Sequence, residues 1–125
     1  MKVVMEQLNT FVGDIKGNTE KVIQVSREAD TAGQDTLVVF PELTLTGYPP
    51  EDLLMRDSLQ AQIEDALTQL ASELPAHLYV VVGYPRRCDG RLYNAAGVLC
   101  GGQMVGEYFK QRLPNYQVFD EKRYF

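Results

Sequence analysis

At 125 residues, with 45% hydrophobic and 23% charged side chains, the chain has ordinary globular composition and the size of one domain with a sizeable core. Its 12 basic against 17 acidic residues give a formal charge of −5, and no Lys/Arg run falls on one predicted face, so the electrostatic footprint of a nucleic-acid or anionic-membrane binder is excluded. No apolar stretch approaches the length of a membrane span and no basic-then-apolar leader opens the chain, which predicts a soluble cytoplasmic protein.

The opening run, Lys2 to Leu8, reads as a strand leading into a loop. Asn18 is the predicted N-cap of a first helix, with Val22, Val25 and Ala29 on one face and Gly33 closing the element. Thr36 to Phe40 is a short, β-branched apolar run of the kind buried on both sheet faces, and it stops at Pro41. The stretch Thr44 to Asp57 carries Gly47-Tyr48-Pro49-Pro50 and reads as an irregular loop, because consecutive prolines remove backbone donors.

A capping-box pattern at Asp57 and Gln60 predicts the start of a second helix. Leu59, Ile63, Ala66, Leu67, Leu70 and Leu74 mark its apolar face as far as Pro75. Leu78 to Gly83 is another buried strand, and Cys88-Asp89-Gly90 and Gly101-Gly102 turn the chain through Arg91 to Leu99 and Gln103 to Phe109 as an antiparallel meander. Helices over a sheet that is part meander point to a mixed α/β layered sandwich.

The two cysteines, Cys88 and Cys100, lack CxxC spacing and His77 is the lone histidine, so reduced, independent thiols and no metal site are expected. Two charged groups stand out instead. Glu42 follows an apolar strand directly and is expected to be partly buried, and Lys110 ends the meander. A carboxylate that takes and returns a proton, with an ammonium that stabilises an oxyanion, would serve a cysteine nucleophile acting on an amide. Taken alone, a glutamate at a strand end is more commonly a solvated acid, and from composition alone Lys110 is better read as a surface charge snorkelling from an edge strand.

The segment Phe40-Pro41-Glu42-Leu43-Thr44-Leu45-Thr46-Gly47 resembles the glutamate segment of the nitrilase (carbon–nitrogen hydrolase) superfamily. Its continuation, Tyr48-Pro49-Pro50-Glu51-Asp52-Leu53-Leu54, resembles in particular the glutaminase domain of the glutamine-dependent NAD synthetases. Tyr93-Asn94-Ala95-Ala96 with Tyr108-Phe109-Lys110 is similar to the superfamily's lysine segment, and Leu113-Pro114-Asn115-Tyr116 with Val118 to Phe125 again resembles the synthetase branch.

The resemblance implies the N-terminal portion of an α-β-β-α layered sandwich, with residues 1–125 a partial glutaminase domain whose remainder, and a synthetase domain, lie beyond them. It implies Glu42 as general base, Lys110 as the oxyanion-side cation, Tyr116 as a contact to bound glutamine, and Glu121 as a further residue supporting the substrate site. Glutamine is the implied substrate, and the synthetase domain of the same polypeptide and a second copy of the chain are the implied partners. No cofactor is implied in these residues; ATP and Mg2+ are expected in the synthetase domain, since no Gly-rich phosphate loop occurs here.

Gly97-Val98-Leu99-Cys100 has some of the look of the run preceding the family's nucleophile, but Gly101 follows where the family has an acid, and the segment precedes the lysine instead of following it. Cys100 is therefore read as packing, and Cys88 as a turn residue without a partner base. With the nucleophilic cysteine placed beyond Phe125, these residues alone are expected to be inactive. Two other readings stay open: a free-standing amidase with the same triad, and a non-catalytic scaffold or oligomer-forming module.

Overall fold

Periodicity in the sequence becomes a single sheet with helices on it. The computed structural model describes residues 1–111 and 124–125, and places β1 at Lys2–Met5, α1 at Ile15–Ala29, β2 at Thr36–Val39, α2 at Leu59–Glu73, β3 at Tyr79–Cys88, β4 at Arg91–Cys100 and β5 at Gln103–Phe109. The five strands lie in sequence order, β1-β2-β3 parallel and β3-β4-β5 antiparallel. Parallel neighbours need crossovers, which α1 and α2 supply, whereas the later strands follow from tight turns. Asp89 and Gly90, at φ 51° and 76°, have the positive φ at both central positions that a two-residue hairpin of matching twist demands.

The helices bury the predicted stripes, but their starts differ from expectation. Asp14, not Asn18, caps α1, its Oδ1 accepting the Gly17 N–H at 3.0 Å. Asn18 sits inside the first turn and is fully buried. The capping box of α2 does not form: Ser58 is the N-cap, without a side-chain bond, and Gln60 instead accepts the Arg87 N–H at 2.9 Å, joining the helix to β3. Within the predicted loop, Glu51–Met55 form a 3-10 turn, which Pro49 and Pro50 precede and so do not interrupt.

α1 and α2 pack on each other and on the sheet, so one sheet face is sealed and the other is open. Val38, Val80, Val82 and Leu99 meet Val22, Ile63 and Leu70 in the core, each at most 3% exposed. The opposite face carries Val3, Met5, Tyr79 and Tyr108 at 57%, 81%, 42% and 62% exposure. Thr36 to Phe40 is thus not buried on both faces, since Leu37 and Val39 point away from the helices and are only half-buried. Apolar contiguity of this kind marks a face made to be covered. It is also the face on which the charged pair lies.

Candidate active site

Glu42 and Lys110 meet. Lys110 Nζ donates to Glu42 Oε1 at 2.6 Å, across 68 positions of sequence. The glutamate arrives from the loop that leaves β2, and the lysine from the residue after β5, whose N–H donates to Asn94 O at 2.8 Å and so continues the β4–β5 ladder by one rung. Both side chains stay partly accessible, at 38% and 30%, so Glu42 is less covered than its apolar surroundings in sequence suggest; the open sheet face beneath it is the reason. They rim a cavity of about 280 Å³ floored by Val81, Gly83 and Ala96, with Asn94 and Tyr108 beside them. A small amide fits such a space with a carboxylate and an ammonium within reach of one carbonyl.

What holds Glu42 there is backbone, and the sequence reading missed it. The loop leaves β2 with Phe40 N–H on Val81 O at 2.9 Å and returns to β3 with Leu45 N–H on Gly83 O at 3.1 Å. Between these anchors it lies directly on Gly83, where a Cβ would stand 2.5 Å from Leu43 N and 3.0 Å from Pro41 O. Only glycine allows that approach. Leu43, next to the glutamate, is held at φ 51°, a conformation that a leucine adopts only when its surroundings impose it. The Thr44 hydroxyl donates back to Pro41 O, and the Thr46 hydroxyl lies 3.2 Å from Leu43 O.

The strand that delivers Lys110 is braced from the other face. Tyr84 on β3 reaches over β4 and donates to Glu107 Oε2 on β5 at 2.5 Å, while Arg86 Nε lies 3.4 Å from the same oxygen. The reach passes over Gly97, where a Cβ would fall 2.4 Å from the tyrosine oxygen. Burial, and then the Glu107 carboxylate as acceptor and as charge, push the Tyr84 hydroxyl far above the usual phenol range. Tyr93 and Phe109 stack alongside, 4.4 Å between ring centroids.

The cysteines lie elsewhere. Cys100 pairs with Gln103 at the β4–β5 turn, six residues along β4 from Asn94, which is about 20 Å of strand. Its thiol faces Ala76 O at 3.6 Å. Cys88 sits at the β3–β4 turn, five residues past Gly83, about 17 Å away. Tyr116 and Glu121 lie outside the described residues. Among the described residues no group of three His, Cys, Asp or Glu side chains is arranged to hold a metal ion, and no helix is long and apolar enough to cross a membrane.

Comparison with known proteins matches these features to one family. Residues 2–125 fit the profile of the family described as carbon-nitrogen hydrolase. The chain is 43% identical to a glutamine-dependent NAD(+) synthetase of Xylella fastidiosa and 44% identical to one of Thermotoga maritima, all of it aligned in both cases but only 23% and 22% of those proteins. The solved glutamine-dependent NAD+ synthetase of Acinetobacter baumannii superposes with a TM-score of 0.91 at 40% identity, over 98% of this chain and 23% of that one. An amidase of the nitrilase superfamily from Nesterenkonia shares the fold, with a TM-score of 0.84 at 20% identity over 47% of its length. The chain thus spans about a quarter of the length of the synthetases it resembles, and its sheet with paired helices is their nitrilase-like fold.

Proposed function

This chain belongs to the carbon–nitrogen hydrolase family, and from that premise we propose that it is part of the glutamine-hydrolysing unit of an NAD synthetase, in which Glu42 is the general base and Lys110 the oxyanion-side cation. The observation that carries the reading is the 2.6 Å contact between these two side chains over a cavity of amide size. A cysteine from outside residues 1–125 attacks the amide carbon of glutamine. Glu42 takes the thiol proton and returns it to the departing ammonia, Lys110 holds the negative oxygen of the tetrahedral intermediate, and water, deprotonated by Glu42, hydrolyses the thioester to glutamate. The ammonia then amidates nicotinic acid adenine dinucleotide at a separate ATP- and Mg2+-dependent site, to which no residue of this chain is assigned. A thiol nucleophile needs a reducing compartment, which favours the cytoplasm.

The test supplies amide-labelled glutamine, ATP and the deamido dinucleotide to the purified natural polypeptide and measures label in NAD by mass spectrometry. Label is expected in the carboxamide. Unlabelled product, or hydrolysis of other amides in preference to glutamine, would overturn the assignment.

Two variants probe the parts of the site. Cys88→Ser with Cys100→Ser is expected to leave glutamine-supported turnover within about tenfold of the parent, about 1.4 kcal/mol of barrier, because both thiols lie far along their strands from Glu42 and Lys110. Loss of labelling by a glutamine-analogue electrophile in this variant would identify one of them as the nucleophile. Gly83→Ala is expected to cost about 1–3 kcal/mol in stability through overpacking and to lower glutamine-supported turnover about 10²-fold, the effect of misplacing a reacting group by about an ångström. Unchanged turnover would show that the loop carrying Glu42 has room to shift.

A further inference from the structure

We propose that Asn18 is a positioning residue for Glu42, acting through the backbone of Leu45; the proposal rests on Glu42 being the general base. Asn18 is fully buried in the first turn of α1, yet none of its side-chain bonds serves the helix. Its Oδ1 accepts the Phe11 N–H at 3.0 Å, and its Nδ2 donates to Phe11 O at 2.8 Å and to Leu45 O at 3.1 Å. The acceptor and both donors of the amide are spent on two loops, one before the helix and one after β2.

The consequence falls on the glutamate loop. The Leu45 N–H is bound by the sheet, through Gly83 O, and its C=O by the helix, through Asn18. Gly13 N–H adds a bond to Thr46 O at 2.9 Å from the loop that Asn18 also grips. The segment from Phe40 to Leu45 is therefore clamped at each end, and the imposed φ of Leu43 lies inside the clamp. Release of Leu45 O lets that torsion relax, and Glu42 moves with it relative to Lys110. An asparagine buried here to stabilise the helix would have no use for an acceptor 27 residues away.

The experiment is a kinetic comparison in the natural polypeptide of Asn18→Asp, which is close in shape but has at most one donor, on a protonated carboxyl, for the two carbonyls of Phe11 and Leu45, with Glu42→Gln as reference. Because a buried carboxylate risks unfolding the domain, Asn18→Thr, smaller and uncharged, carries the test as well. Each Asn18 variant is expected to lose about 10- to 100-fold in kcat with glutamine, with KM within about threefold and with ammonia-supported NAD formation unchanged. Ile63→Val, a change in the helix core, lowers the melting temperature without that loss and so separates stability from placement. Full kcat in the Asn18 variants while Glu42→Gln is inert overturns the proposal alone. Loss of ammonia-supported activity in both Asn18 variants assigns the residue to stability only and also overturns it. Glutamine turnover retained by Glu42→Gln removes the reading of Glu42, and the proposal with it.

Discussion

Glu42→Gln is expected to lower glutamine-supported NAD formation by about 10²- to 10⁴-fold, the usual contribution of a positioned acid–base group, while ammonia supports the reaction at the parent rate. The amide keeps the shape of the side chain and can still accept a hydrogen bond from Lys110 Nζ, now 2.6 Å from the carboxylate, so the cavity is preserved. What is lost is the ability to take the thiol proton and hand it to ammonia. Stability should hardly change, because the ion pair is 38% and 30% exposed, and such pairs contribute about 0–1 kcal/mol. Assay with both nitrogen donors, beside a thermal melt, separates the chemistry from the fold. Retained turnover with glutamine would remove Glu42 from the mechanism.

The legible part of this fold was what period and punctuation carry. Stripes such as Ile63, Leu67 and Leu70 located α2, and Asp89-Gly90 located a hairpin, because each is a local signal with a local cause. The misread residues are those whose partners are distant. Asp14 and Asn18 are both capping types at the entrance to α1, and nothing local tells which one caps and which is swallowed by the core. The answer depends on Leu45, reached only after a crossover strand. Gly83 reads locally as a strand end, although a glycine inside an apolar strand is a sign of close backbone approach. Glu42 and Lys110 stand out through their flanking motifs, and no spacing rule pairs them; the fold does, by laying the loop that leaves β2 over β3 at Gly83, within reach of the residue that follows β5.

The open sheet face explains why the pair is exposed, although the proposed chemistry calls for a dry site. Val3, Met5, Tyr79 and Tyr108 give the cavity side of the sheet an apolar surface, and under the proposed mechanism a cover on that surface would also exclude water from Glu42 and Lys110 and strengthen their interaction with a developing oxyanion. Lys110→Met tests this directly. Methionine keeps length and apolar stem while removing the ammonium, so the expected loss is about 10²- to 10³-fold in kcat, or about 2.7–4 kcal/mol, the range for one oxyanion donor. An interaction made only in the transition state lowers kcat and kcat/KM together. The backbone bond from Lys110 N–H to Asn94 O is independent of the side chain and keeps β5 in register, and the Tyr84–Glu107 brace on the opposite face is untouched. Lys110→Arg should recover only part of the activity, because its planar fork cannot place one compact charge where the ammonium stood. A rise in KM at constant kcat in Lys110→Met would assign the lysine to ground-state binding of glutamine, and the oxyanion role would have to pass to another donor.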